Sequence, residues 1–147
     1  MLPYGRQQIN ENDIKAVTKA LKSKLITTGP LVEKFEQKIG EITGAKQAIA
    51  VCNGTAALHL ACLGMGLKKG DVAIVPTLSF LATANAVRYC GAEVFFADVS
   101  SKTGLMTPET YEIAIKKAKK EGFSVKAVLP VHLTGTPVDL KGIKFVS

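Results

Sequence analysis

The sequence predicts an α/β protein in which a mostly parallel sheet carries helices on both faces. Three observations lead there. Short apolar runs alternate with segments whose apolar residues recur at helical spacing. Of the 147 residues, 47% are hydrophobic and 21% charged, the balance of a chain that folds rather than stays disordered. Only 6% are aromatic and tryptophan is absent, so the core is expected to be aliphatic. The length predicts one domain, able to hide roughly two thirds of its extended surface.

Residues 11–24 place Ile14, Val17 and Leu21 on one helical stripe, with Glu11 and Asp13 in the first turn. The segment from Lys24 to Pro30 breaks that pattern. Pro30 suits the first turn of a second helix striped by Leu31, Phe35 and Ile39, and Gly40 and Gly44 mark its end. Ile49–Cys52 is short and apolar and predicts a buried strand. Asn53-Gly54-Thr55 then turns directly into Ala56–Leu63, a buried helix ended by Gly64, Gly66 and Gly70. Val72–Val75 is a second strand stopped by Pro76, Ser79–Arg88 a helix, and Ala92–Ala97 a third strand. Thr107-Pro108-Glu109 combines a cap, a proline at the first position and an acid in the first turn; Tyr111, Ala114, Ile115 and Ala118 supply the stripe. Val125–Val131 is a fourth strand. Residues 135–144 are loop-like, and Lys144–Ser147 is expected to begin another strand.

Charge and cysteine content narrow the function classes. The net charge is +7, but all basic residues except Arg6 and Arg88 are lysine, whereas nucleic-acid readers favour the bidentate guanidinium. Most lysines alternate with glutamate on helical segments. The run Lys116-Lys117-Ala118-Lys119-Lys120-Glu121 predicts a solvated helix face, with an anionic partner as the alternative. Such charge would also attract a phosphorylated substrate. No run approaches the roughly 18 apolar residues of a membrane span, and Met1–Arg6 has no signal-peptide pattern. Cys52, Cys62 and Cys90 are an odd count without a CxxC pair, which predicts buried free thiols in a reducing cytoplasm.

Ligands of parallel sheets bind beyond the carboxyl ends of the strands, so residues in those turns are the candidates. Asn53-Gly54-Thr55-Ala56-Ala57 puts a small turn and a hydroxyl at a helix N-terminus, where free N–H groups accept an anion. It is neither a dinucleotide fingerprint nor a Walker loop, and a phosphate cradle and an ordinary tight turn both remain open. Phe80 stands at the end of the second strand as a platform for a ring or as a core aromatic, with Thr77 and Ser79 free to bond or cap. His132, after the fourth strand, faces a ligand or bonds a neighbouring carbonyl; His59 is expected to be structural. The two histidines and three cysteines lack zinc spacing, so no metal is predicted. Asp98 and Asp139 form no evident catalytic pair.

Four ordered motifs give the chain a family resemblance: Leu25–Pro30, Asn53–Leu60, Val75–Ala86 and Pro130–Gly135. From about Pro3 to Leu140 it resembles the N-terminal part of the large domain of the DegT/DnrJ/EryC1/StrS sugar aminotransferases. The resemblance implies pyridoxal phosphate as cofactor and an incomplete three-layer α/β/α large domain of the aspartate aminotransferase fold. On this basis residues 1–30 are an N-terminal arm, helix and active-site loop, 31–140 the α/β core and 141–147 a divergent tail. The family's C-terminal small domain is expected to be missing from these 147 residues.

The same resemblance assigns roles. Gly54, Thr55 and Ala56 match the cofactor-phosphate segment, and Phe80 the aromatic that stacks on the pyridine ring. Thr27, Thr28 and Gly29 match a loop that touches substrate or a neighbouring subunit, and Tyr4, Arg6 and His132 line the site. No residue here matches the lysine that carries the cofactor or the acid that bonds the pyridine nitrogen. The 147 residues are therefore expected to be a truncated enzyme that does not transaminate alone. The implied parent is a cytoplasmic homodimer that moves an amino group from glutamate to a keto group of a nucleotide-linked sugar in polysaccharide or glycan biosynthesis. The alternative is a non-catalytic α/β remnant that pairs through an exposed sheet edge. Neither nucleic acid nor membrane is expected as a partner.

Overall fold

The structure, a computed structural model, describes residues 6–146. Where length predicts one domain, the residues cluster as two compact units, Met1–Ala50 and Val51–Ser147.

The first unit holds two helices. α1 spans Glu11–Leu21 and opens with a reciprocal cap. Asn10 Oδ1 accepts from the N–H groups of Asn12 (2.8 Å) and Asp13 (3.2 Å), while Asp13 Oδ2 accepts from Asn10 N–H at 2.8 Å. α2 spans Pro30–Thr43, with the proline at its first position and Gly44 as a left-handed C-cap (φ 72°). Ile14, Val17, Leu21, Leu31 and Phe35 form the expected stripes, yet neither helix has a buried residue.

The expected strand at Ile49–Cys52 does not form. These residues pair with no strand among the described residues, and Ile49 is 81% exposed. A four-residue apolar run carries too little pattern to specify a ladder without a neighbouring edge. Ala50 N–H is instead satisfied by the side chain of Glu36 at 2.8 Å.

The second unit is a three-layer α/β/α arrangement. Its elements are α3 (Gly54–Gly64), β1 (Val72–Pro76), α4 (Ala82–Tyr89), β2 (Glu93–Ala97), α5 (Pro108–Lys120), β3 (Val125–Val128), a 3-10 turn at Leu133–Gly135 and α6 (Leu140–Val146). The described strands form one parallel sheet in the order β2-β1-β3. Three strands stand where four or five were expected. The run expected to extend to Val131 leaves the ladder after Val128, and the expected terminal strand is the helix α6. Ile143 of α6 is buried in the layer of α5, so packing of a short apolar face overrides the strand pattern there.

Every residue of central β1 is buried. Its side chains alternate between layers as the pleat requires. Ile74 joins Ala97, Met106, Tyr111, Ala114 and Ile143 on the α5 side. Ala73 and Val75 join Cys62, Leu67, Ala86, Val87 and Ala92 on the α3–α4 side. The β1–β3 register shifts between Val72 and Ala73. At that irregularity Lys126 Nζ donates to Gly66 O (2.7 Å) and Asp71 Oδ2 (3.2 Å). Desolvation works to raise the Asp71 carboxyl, but the Lys126 and Lys68 N–H bonds and both lysine charges hold it below its ordinary value.

Candidate functional site

The carboxyl ends of the three strands, at Pro76, Ala97 and Val128, lie along one edge of the sheet, because all run parallel. α3 points its N-terminus at that same edge. Its C-terminal end leads through residues 65–71 into the first residue of β1, and Gly66 O is tied to Lys126 near the start of β3. An 11-residue helix and a five-residue strand each span about 16 Å. Running back along the sheet, α3 therefore begins level with the carboxyl edge.

The turn entering α3 is built for open donors. Asn53 is extended (φ −166°, ψ 169°), and its Oδ1 accepts from Ala56 N–H at 2.9 Å. That cap occupies one of the three N–H groups assigned to the cofactor phosphate. Gly54 and Thr55 head the helix, where no preceding turn supplies a carbonyl. No acidic residue sits in the first turn to neutralise the positive helix end. A Cβ placed on Gly54 would meet nothing within 4 Å, so the approach is clear. The sequence motif named the glycine; the role of Asn53 as its cap needed the structure, although Asn is among the best N-cap residues.

Phe80 follows β1 on the same edge. Phe80 is 79% exposed and belongs to neither buried cluster, so it is not a core aromatic of this chain. Two hydroxyls flank it, Ser79 Oγ lying 2.6 Å from Thr83 Oγ1. Ser79 is thus bonded rather than free, and Thr83 is a polar neighbour that the sequence pattern did not single out.

His132, exposed beyond β3, bonds a peptide N–H rather than the neighbouring carbonyl expected as one alternative. Its Nδ1 accepts from Val138 N–H at 3.0 Å, closing the loop that contains the 3-10 turn. The acceptor role places the neutral ring's proton on Nε2. His59 meets Tyr89 edge-on, with ring centroids 5.4 Å apart, which fits a structural role.

Thr27, Thr28 and Gly29 lie in the first unit, between α1 and α2. Gly29 is buried and caps α2; a Cβ there would stand 2.8 Å from Leu25 O. Thr28 has φ 47°, a left-handed conformation that threonine rarely adopts. Arg6 is exposed and outside any regular element, and Tyr4 lies outside the described residues. Of the thiols, Cys52 is exposed rather than buried, Cys90 is half-buried and Cys62 is buried. Burial raises the Cys62 thiol above its ordinary range, and neighbouring Cys90 adds to the rise. No group of three or more metal-ligating side chains occurs among the described residues. No described helix is long and apolar enough to cross a membrane.

A parallel sheet sandwiched by helices, with a glycine-headed helix and an exposed aromatic at its carboxyl edge, has the architecture of the aminotransferase fold. Solved structures agree. An aminotransferase from Psychrobacter cryohalolentis is 31% identical with a TM-score of 0.85, over 98% of this chain and 36% of its own. A DegT DnrJ EryC1 StrS aminotransferase from Brucella abortus is 36% identical (TM-score 0.78, covering 90% and 35%). NtdA from Bacillus subtilis, solved with bound cofactor PMP, is 29% identical (TM-score 0.80, covering 94% and 31%). Residues 7–147 match the DegT/DnrJ/EryC1/StrS aminotransferase family, and the chain belongs to it. It spans about a third of the length of these structures.

Proposed function

We propose that this chain supplies the phosphate-binding and ring-stacking part of the active site of a pyridoxal-phosphate-dependent sugar aminotransferase. The observation that carries the proposal is that the N-terminus of α3 is open and that Phe80, which follows the carboxyl end of β1, is exposed. Gly54 and Thr55 bind the cofactor phosphate through their N–H groups, and the positive end of α3 adds attraction. Ala56 contributes by keeping the first turn small, since its N–H serves Asn53. Phe80 offers its face to the pyridine ring. The chemistry supplied by the cofactor when bound is that of an electron sink and a carbonyl that exchanges amino groups. The chain's own part is to anchor and orient it.

The substrate and partner assignments are part of the same proposal. Amino transfer from glutamate to a keto group of a nucleotide-linked sugar, within a cytoplasmic homodimer, is supported by membership of the family. Thr27, Thr28 and Gly29 are assigned to substrate or subunit contacts, with Tyr4, Arg6 and His132 lining the site. The 147 residues by themselves bind without turnover, because none of their lysines matches the cofactor-carrying position implied by the family motifs.

The test is a titration of the purified chain with pyridoxal phosphate, followed at 300 to 500 nm, then borohydride reduction and intact mass. Saturable binding without a reduced adduct on one lysine is expected. A single stoichiometric adduct would overturn the claim of no turnover machinery, and no binding would overturn the cradle.

A further inference from the structure

Phe80 is joined to the fold through its carbonyl, on which the Ser79 hydroxyl and the Thr83 N–H both bear, and the Thr83 hydroxyl in turn holds that of Ser79. Thr83, in the first turn of α4, is only 6% exposed, and its N–H donates to Phe80 O at 3.0 Å. Ser79 Oγ lies 3.3 Å from the same oxygen and 2.6 Å from Thr83 Oγ1. Leu81, which heads α4, offers no side-chain cap, so this pair is the polar fixing of the turn. The result is an exposed aromatic whose carbonyl accepts two hydrogen bonds from the turn that follows β1. An unheld aromatic in a turn would sample several orientations, and each would have to be ordered at an entropic cost on binding.

We propose that the Ser79–Thr83 hydroxyl pair is a positioning device that fixes Phe80 as a pre-oriented platform for a flat heteroaromatic ring. Thr83 is a positioning residue: it acts through Phe80 and touches no ligand atom itself. The inference rests on the stacking role given to Phe80 above. Thr83→Val keeps the branched shape and removes the hydroxyl. Thr83→Ser retains the hydroxyl, and Ser79→Ala attacks the pair from its less buried side, should the valine disturb folding.

The test uses the 147-residue chain and two probes. Pyridoxamine phosphate engages both the cradle and the ring platform, whereas inorganic phosphate engages the cradle alone. Calorimetric titration is expected to show Thr83→Val and Ser79→Ala binding pyridoxamine phosphate about five- to tenfold more weakly. Inorganic phosphate should bind both unchanged, and Thr83→Ser should match the unsubstituted chain. In a Phe80→Leu background, Thr83→Val should have no further effect, because the residue it positions is gone. Equal losses for both probes, or an undiminished loss in the Phe80→Leu background, would overturn the positioning role. Failure of the underlying reading looks different. The unsubstituted chain would then bind neither probe, or Phe80→Leu would bind pyridoxamine phosphate as well as it does, and the positioning role would fall with it.

Discussion

Gly54 and Thr55 stand at the first two positions of α3, and the neighbouring Ala56 N–H is already taken by Asn53. This division of donors gives a sharp substitution. Asn53 is extended, the backbone that a following proline requires, and the space around a Gly54 Cβ is empty. Gly54→Pro therefore removes one N–H at a position where helices accept proline. Its far-UV circular dichroism should be unchanged while its affinity for inorganic phosphate falls about tenfold, the loss of one hydrogen bond to a charged group. The cysteines give a second residue-level expectation. Alkylation needs the thiolate, and burial with Cys90 nearby raises the Cys62 thiol. Iodoacetamide should modify exposed Cys52 first, and Cys62 only at higher pH, the order vanishing in denaturant. A thiol raised in the folded state contributes stability below its unfolded pKa, lost as pH rises through the folded one.

Among the elements, α5 is the one whose local sequence is most complete. Thr107 Oγ1 accepts from Thr110 N–H at 3.3 Å and Thr110 Oγ1 from Thr107 N–H at 2.9 Å, with Pro108 at the first position. Lys117, Lys119 and Lys120 complement the carbonyl end. The lysine run is a solvated face: Lys116 pairs with Glu112 at 2.7 Å and the other three lysines are exposed. Thr107→Ala should cost about 1 kcal/mol in urea unfolding, the usual loss of an N-cap. α4 is the opposite case. It has no side-chain cap at Leu81, and its start is set by Ser79, Phe80 and Thr83 together. The sequence pattern accordingly starts this helix at Ser79, whereas regular helix begins at Ala82.

For the second unit as a whole, central β1 joins the two helical layers. Ile74 is fully buried against α5 and α6, while Ala73 and Val75 face α3 and α4. Ile74→Ala should destabilise the chain by about 2–5 kcal/mol, measured as a lowered urea midpoint with the slope retained. Most of this architecture was legible beforehand. Helical stripes, proline and glycine punctuation and cap residues are local signals, so α1, α2, α3, α5 and the strands at 72, 93 and 125 followed from residue order. So did the tight turn that opens α3 at Asn53-Gly54-Thr55, while its use as a phosphate cradle was one of two readings that residue order left open. What depended on tertiary structure was every question of partners. Ile49–Cys52 is apolar enough for a strand but finds no ladder, and α6 is helical because Ile143 has a layer to pack into. Phe80 belongs to neither buried cluster although Tyr111 does, and His132 bonds a peptide N–H six residues on. Periodicity and caps act within one turn or one strand, and residue order alone determines them. Burial, strand pairing and the donors left open for a ligand depend on groups distant in sequence, and only the folded chain brings those together.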